Sequence, residues 1–180
     1  TVFAQMVGDA LGVPPDWVLV ETPDTAKVPN SGPTVASRTT MIVGGLLRRA
    51  ALQLKEELGG RPLRTRQDLA RAAKRLCMTS PVRRIEVEYE KPGHVNWDDK
   101  TYKGDAYGVY SYGALVADLE VDKTTFEVKI RKLTTAQDIG TVVNPLLAEG
   151  QVIGGTLQAV GYALLENVVY RNGAMANGQF

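Results

Sequence analysis

Two stretches of this 180-residue sequence hold residue types that could do chemistry. The first is Asn30-Ser31-Gly32-Pro33-Thr34-Val35-Ala36-Ser37-Arg38-Thr39-Thr40, a tight loop that runs into a long helical pattern. The first turn of a helix offers unpaired N–H donors and a partial positive charge, which together suit an anion. Ser37, Thr39 and Thr40 add hydroxyl donors, and Arg38 adds a planar donor fork matched to phosphate. A small residue such as Ala36 lets a ligand reach the backbone. The alternative is that the hydroxyls only cap the helix while Arg38 points into water, because Ser and Thr are common at helix starts.

The second stretch is Asp138-Ile139-Gly140-Thr141-Val142-Val143-Asn144-Pro145, followed by Glu149-Gly150-Gln151-Val152-Ile153-Gly154-Gly155. At helical spacing Gln151, Gly154, Gln158 and Gly161 share one face, a stripe too poor in side chain for an ordinary core. A glycine inside a helix costs about 1 kcal/mol relative to alanine, so several of them need a reason. Either another helix packs closely there, or a flat ligand contacted by Gln151 approaches the backbone. The residues leave both open.

Other polar residues carry less. Cys77, near a predicted helix end, reads as a small buried apolar residue, and His94 as an exposed loop residue. Asp98-Asp99 reads as a turn rather than a metal site. Tyr107, Tyr110 and Tyr112 read as sheet packing, since no basic residues interleave with them to make a base-stacking platform.

The elements that must position these groups follow from periodicity. Val2, Phe3, Met6, Val7, Ala10 and Leu11 predict a helix over residues 1–11, ended by Gly12 and Pro14-Pro15. Trp17 to Val20 reads as a short strand. Pro33 is expected near the first position of a long helix. Its apolar stripe is Val43, Leu47, Ala50, Ala51, Leu54 and Leu58, and Gly59-Gly60 ends it. A second helix is predicted from Arg66 to Met78, with Thr65 as N-cap and Asp68 at the capping-box position. Arg84 to Tyr89 alternates like a strand. Tyr107 to Val121 reads as a long strand with both faces at least partly covered, turning at Asp122-Lys123-Thr124-Thr125 into a partner containing Phe126, Val128 and Ile130. A last helix is expected from Pro145 to Asn167 with Asn144 as N-cap. A hairpin then turns at Asn172-Gly173. Helices and strands segregate, so the predicted class is α+β, a mixed or antiparallel sheet with long packed helices. Residues 1–80 form its helix-rich part and 81–180 its sheet part.

Composition excludes much. The chain is 44% apolar and 23% charged with a formal net charge of +1, so nothing electrostatic calls for nucleic acid or an anionic membrane. One cysteine and one histidine argue against disulfides, zinc cages and Ser-His-Asp or Cys-His machinery. The expected setting is cytoplasmic. The chain starts inside an amphipathic pattern and stops in a loop or a beginning strand, which suggests a fragment or one chain of a split protein.

With those residues in place, the sequence resembles the molybdenum-cofactor-binding large subunit of the xanthine dehydrogenase and aldehyde oxidase family. The similarity lies in Asp138-Ile-Gly-Thr-Val-Val-Asn-Pro with Glu149-Gly-Gln-Val-Ile-Gly-Gly-Thr-Leu-Gln158-Ala-Val-Gly161, and in Val28-Pro-Asn-Ser-Gly-Pro-Thr-Val-Ala-Ser-Arg-Thr-Thr40. Tyr110-Ser111-Tyr112-Gly113-Ala114 with Val116 to Val121 adds to it. The resemblance implies a molybdenum–molybdopterin cofactor, with or without a cytosine dinucleotide tail, whose metal no protein side chain ligates. It implies that Ala36 offers its backbone near the metal centre, that Ser37, Arg38, Thr39 and Thr40 hold the pterin and phosphate, and that Gln151 is an amide contact. The implied chemistry is hydroxylation of an N-heterocycle or aldehyde with water as oxygen source. Electrons would pass to 2Fe-2S clusters and FAD on partner chains. The resemblance places the catalytic glutamate in a Gly-rich motif downstream, so Glu149 and Glu166 are not expected to act as the base, and this chain alone is expected to be inactive. A non-catalytic assembly domain of the same fold without cofactor is the alternative.

Overall fold

Ala10, Val13, Ala51 and Leu63 are buried apolar residues, and they mark where the first part of the chain closes on itself. The computed structural model describes residues 1–76 and 82–178, so Cys77 and the predicted helix end at Met78 lie outside the described residues. Two compact units divide the chain, Thr1–Ala106 and Tyr107 onward.

In the first unit, α1 (Val2–Leu11) packs on α2 (Gly44–Glu57). The predicted stripe is the reason: Leu47, Ala50, Ala51 and Leu54 of α2 meet Val7 and Leu11 of α1 along one groove. Both helices end in a Schellman arrangement. Gly12 and Val13 N–H groups return to the Asp9 and Gly8 carbonyls, and those of Gly59 and Gly60 to Glu56 and Lys55. The Lys55 ammonium adds a hydrogen bond of 3.1 Å to the Ala10 carbonyl, placing a cation at the C-terminal end of α1. Helix α3 (Arg66–Leu76) opens on the predicted capping box, with Asp68 in place of the usual Glu or Gln. The Asp68 N–H donates to the Thr65 hydroxyl at 3.1 Å, and the Thr65 N–H donates to the Asp68 carboxylate at 3.0 Å.

Three expectations about where strands lie fail in this unit. Trp17 to Val20 is not a strand: Pro15–Trp17 is a 3-10 turn followed by extended chain. Arg84 to Tyr89 is extended but joins no sheet among the described residues. Side chains hold it instead, Arg49 donating to the Glu88 carbonyl at 2.6 Å and Arg83 gripping Glu57 at 2.6 and 2.5 Å. Alternation supplies a face, whereas a strand also needs a backbone partner. Around Asp98-Asp99, read from the sequence as a turn and not as strand, stands a small antiparallel pair, β1 (Asn96–Asp98) and β2 (Lys103–Asp105).

The second unit is built on a long antiparallel hairpin, β3 (Tyr112–Val121) and β4 (Val128–Asp138). Asp122 makes its turn, its carboxylate accepting the N–H groups of Thr124 and Thr125 at 2.6 and 2.9 Å. Phe126 belongs to that turn with φ 61°, not to the strand. The register shifts beside Asp118/Leu119, leaving Arg131 opposite no single residue. That bulge keeps Leu133, Ile130 and Val128 on the face of Leu115, Ala117, Leu119 and Val121, although 133 to 130 is an odd step. The extra residue, Arg131, pairs with Glu120. Both faces of the hairpin are exposed in this chain, contrary to the expectation of cover, with Leu115 and Leu119 each 51% accessible. Helix α4 (Pro145–Leu164) follows, capped as predicted by the Asn144 side chain, which accepts the Leu147 N–H at 3.0 Å; it ends three residues before the predicted Asn167. The last pair, β5 (Tyr170–Arg171) and β6 (Ala174–Met175), turns through Asn172 and Gly173 with φ 52° and 78°, the type I′ geometry expected of Asn-Gly. Four α-helices and three antiparallel pairs among the described residues make the predicted α+β class.

Candidate cofactor-binding site

The loop before α2 is shaped by its own side chains. Asn30 accepts the Gly32 N–H at 2.8 Å, closing an Asx turn. Gly32 then takes a left-handed φ of 77°, and Ala36 takes φ 43°. A left-handed alanine interrupts a helix, so the helix does not begin near Pro33 as expected. The Arg38 N–H closes a turn onto the Val35 carbonyl at 3.1 Å, and the Ser37 carbonyl accepts the Met41 N–H at 2.9 Å. Helical winding starts there, and its first turn is wide: Thr39–Val43 is a π-helical turn in which the Gly44 N–H reaches the Thr39 carbonyl. Thr39, Thr40, Ile42 and Val43 are all β-branched, and their crowding opposes the tighter α winding.

Ser37 and Thr40 are exposed, while Arg38 and Thr39 are half-buried. No side chain caps the turn at Arg38, so the cap that would have explained the polar residues away is not formed at that position. Nor does Arg38 point into water. Its guanidinium folds back over the loop, with Nη1 3.5 Å from the Pro33 carbonyl. A Cβ built on Gly32 would lie 2.9 Å from Arg38 Nη2 and 3.0 Å from Cζ. The structure thus brings Ala36, Ser37, Arg38, Thr39 and Thr40 together on one loop and helix start. Backbone in the left-handed region, three hydroxyls and a guanidinium fork make a donor set that fits an anionic, phosphate-bearing organic ligand.

In the second unit, Asp138 ends β4 and its carboxylate accepts the Gly140 N–H at 3.0 Å. Gln151 is exposed on the second turn of α4. A Cβ added at Gly150, Gly154 or Gly155 would meet nothing within 4 Å, so the helix-packing explanation finds no partner for these glycines among the described residues of the second unit. Gly161 differs, because the Glu166 carboxylate lies across it, 2.8 Å from where its Cβ would be. Glu166 is a helix-end residue, as expected, and its N–H bonds back to the Gly161 carbonyl at 2.9 Å.

The lesser candidates resolve into structure. Asp98 accepts the Lys100 N–H at 2.8 Å and the Thr101 hydroxyl at 2.7 Å, while Asp99 accepts the Trp97 indole at 2.9 Å. Thr101 holds the Asp98 carboxyl below the usual carboxylate range. These are the partners of a turn, and no group of His, Cys, Asp and Glu among the described residues could hold a metal. Tyr107 and Tyr110 meet edge-to-face, with ring centres 6.2 Å apart, before the strand begins. Both are exposed, as is Tyr112, so none packs a sheet in this chain. His94 is exposed. No helix among the described residues is long and apolar enough to cross a membrane. Sequence reasoning missed the left-handed Ala36 and the π-helical turn; the run of β-branched residues after Arg38 was the available signal for the second.

The chain is 31% identical over 159 residues to an aldehyde oxidoreductase of Megalodesulfovibrio gigas, covering 87% of this chain and 17% of that protein. It is 28% identical over 172 residues to a xanthine dehydrogenase of Oryza sativa subsp. japonica, covering 93% and 12%. It is 29% identical over 188 residues to the 6-hydroxypseudooxynicotine dehydrogenase complex subunit gamma of Paenarthrobacter nicotinovorans, covering 94% and 23%. The chain therefore spans less than a quarter of the length of these relatives, which are oxidoreductases by name. The model of the molybdopterin cofactor-binding domain matches residues 1–180 in full, and the chain belongs to that family.

Proposed function

We propose that this chain is the part of a molybdenum hydroxylase large subunit that grips the molybdopterin. Ala36 offers exposed, left-handed backbone; Ser37, Thr39 and Thr40 offer hydroxyls; Arg38 neutralises the phosphate; and the Gln151 amide makes a further contact. When bound, the cofactor supplies the redox chemistry that hydroxylates an N-heterocycle or an aldehyde with oxygen from water. The residues of this chain bind and orient it, and none of them serves as the proton-accepting base. Glu149 sits in the early turns of α4, and Glu166 is folded against Gly161. In this reading the chain does not turn over substrate alone. It works beside 2Fe-2S and FAD centres on partner chains; similarity to a subunit of a dehydrogenase complex supports the multi-subunit part of this reading. Both bare molybdopterin and its cytosine dinucleotide form present the phosphate that Arg38 suits.

The observation that carries this reading is the Arg38 guanidinium, half-buried over its loop at a helix start where no side chain caps it. The test uses the full-length protein purified with its partner chains. Molybdenum is measured by elemental mass spectrometry, and pterin by the fluorescence of its oxidised form. Arg38→Ala and Gln151→Ala are expected to lower both contents several-fold. Full metal and pterin content in both variants overturns the site. An unmodified protein purified without any pterin points instead to a structural, assembly role.

A further inference from the structure

We propose that Gly32 is a positioning residue whose missing side chain lets Arg38 lie against the loop, aimed at the cofactor's phosphate. The inference rests on the reading of Arg38 given above and adds a residue to which that reading assigns no contact.

Three observations converge on Gly32. Its N–H is held by the Asn30 carboxamide at 2.8 Å, which fixes the turn. Its φ of 77° lies where most side chains are strained. Its α-carbon faces the guanidinium so closely that a Cβ would stand 2.9 Å from Nη2, 3.0 Å from Cζ and 3.3 Å from Nη1. The first two describe a turn that glycine favours, and they would hold whatever residue stood at 38. The third does not. It makes the room occupied by the guanidinium a property of position 32. The Pro33 carbonyl, 3.5 Å from Nη1, takes one donor edge and leaves the rest of the fork for an anion. An arginine held in advance loses less side-chain freedom when its partner arrives than one that must be collected from water.

Crowding and strain can be separated, because asparagine tolerates positive φ yet carries a Cβ. In the full-length protein, cofactor-depleted, the rate at which phenylglyoxal modifies Arg38 is followed by peptide mass spectrometry. Gly32→Ala and Gly32→Asn are both expected to raise that rate several-fold as the guanidinium is pushed outward. An unchanged rate in both overturns the proposal. So does a rise in Gly32→Ala alone, which would make the effect one of strain. In the protein purified with its cofactor, Gly32→Ala is expected to lower pterin content several-fold beside Arg38 and to add no further loss in Arg38→Ala. Equal losses on both backgrounds also overturn it. Full pterin content in Arg38→Ala would instead overturn the role given to Arg38 in the cofactor reading. It is told apart because the change in Arg38 reactivity would still be seen.

Discussion

Gly8 and Val13 are locked back to back at the end of α1. The Gly8 carbonyl accepts the Val13 N–H at 2.9 Å, and a Cβ on Gly8 would lie 2.9 Å from the Val13 carbonyl oxygen. The obstruction is backbone, with Pro15 Cα and N both 3.3 Å away, so nothing can rotate aside. Gly44 offers the contrasting case, for a Cβ there would meet Met6 Sδ at 2.6 Å and Cε at 2.8 Å, the end of a flexible side chain. Gly8→Ala is expected to destabilise the protein by about 1–3 kcal/mol despite alanine's better helix propensity. Gly44→Ala should fall within about 1 kcal/mol of the unmodified protein, as the propensity gain offsets the displacement of Met6. Urea unfolding of both variants checks the pair, and equal losses would contradict the distinction.

The capping box of α3 should show in both mutation and pH. Thr65→Ala is expected to cost about 1 kcal/mol of helix stability, read as faster amide exchange in the first turn. Asp68 titrates below the usual carboxylate range, chiefly because the Thr65 hydroxyl donates to it at 2.8 Å, with the Thr65 N–H and Arg71 adding to the effect. A lowered folded pKa means stability that is present above the unfolded value of about 3.9 and is lost as pH falls through the folded one. Protection of the α3 amides should therefore hold steady from neutral pH to about 5 and decline below about 4. A decline centred near neutrality would rule this out.

Glu57 is held below its ordinary pKa by the two-pronged grip of Arg83. Arg83→Ala should return the Glu57 carboxyl upward toward its ordinary value in a carbon-detected NMR titration. Because the pair is substantially exposed, global stability should change little. The extended segment 84–89 should loosen, since the side-chain grips of Arg83 and Arg49 hold it in place of a sheet. An unmoved Glu57 titration would show that Arg83 is not the cause.

Ala36, at φ 43°, is strained by about 1–2 kcal/mol relative to an ordinary backbone. Ala36→Gly should leave thermal stability unchanged or raise it by up to about 1 kcal/mol. Ala36→Val, β-branched and hostile to positive φ, should lower it and reduce pterin content as well. Equal stability in the two variants would mean that this turn is not held in the left-handed region.

Much of the fold is legible in residue types whose physics is local. The Asn144 cap, the Thr65–Asp68 box, the Asn172-Gly173 turn and the helix ends at Gly12 and Gly59 each involve groups within a few residues of one another. Failures occur where the deciding partner is distant or absent. Trp17 to Val20 and Arg84 to Tyr89 alternate properly but meet no strand edge, whereas Asn96–Asp98 pairs without any apolar pattern. The β4 bulge could not be read from β3 alone, since it exists to reconcile two alternations. At the candidate site, the polar composition of residues 30–40 is plain in the sequence. The placement of Arg38 is not, because it depends on a vacancy at Gly32 and on one alanine's φ.

The wide turn at Thr39–Val43 carries one residue more than α winding would require. Each residue of an α-helix advances it by about 100°. Excising one amino acid between Thr40 and Ile42 would let the turn close to α winding with the Thr39 carbonyl still facing the Gly44 N–H, so Arg38 would keep roughly its present angle. The wide turn absorbs its additional residue locally, and the phase of the helix passes through it nearly unchanged. Were that additional residue wound as ordinary α-helix instead, the loop that carries Arg38 would face about 100° away from its present direction.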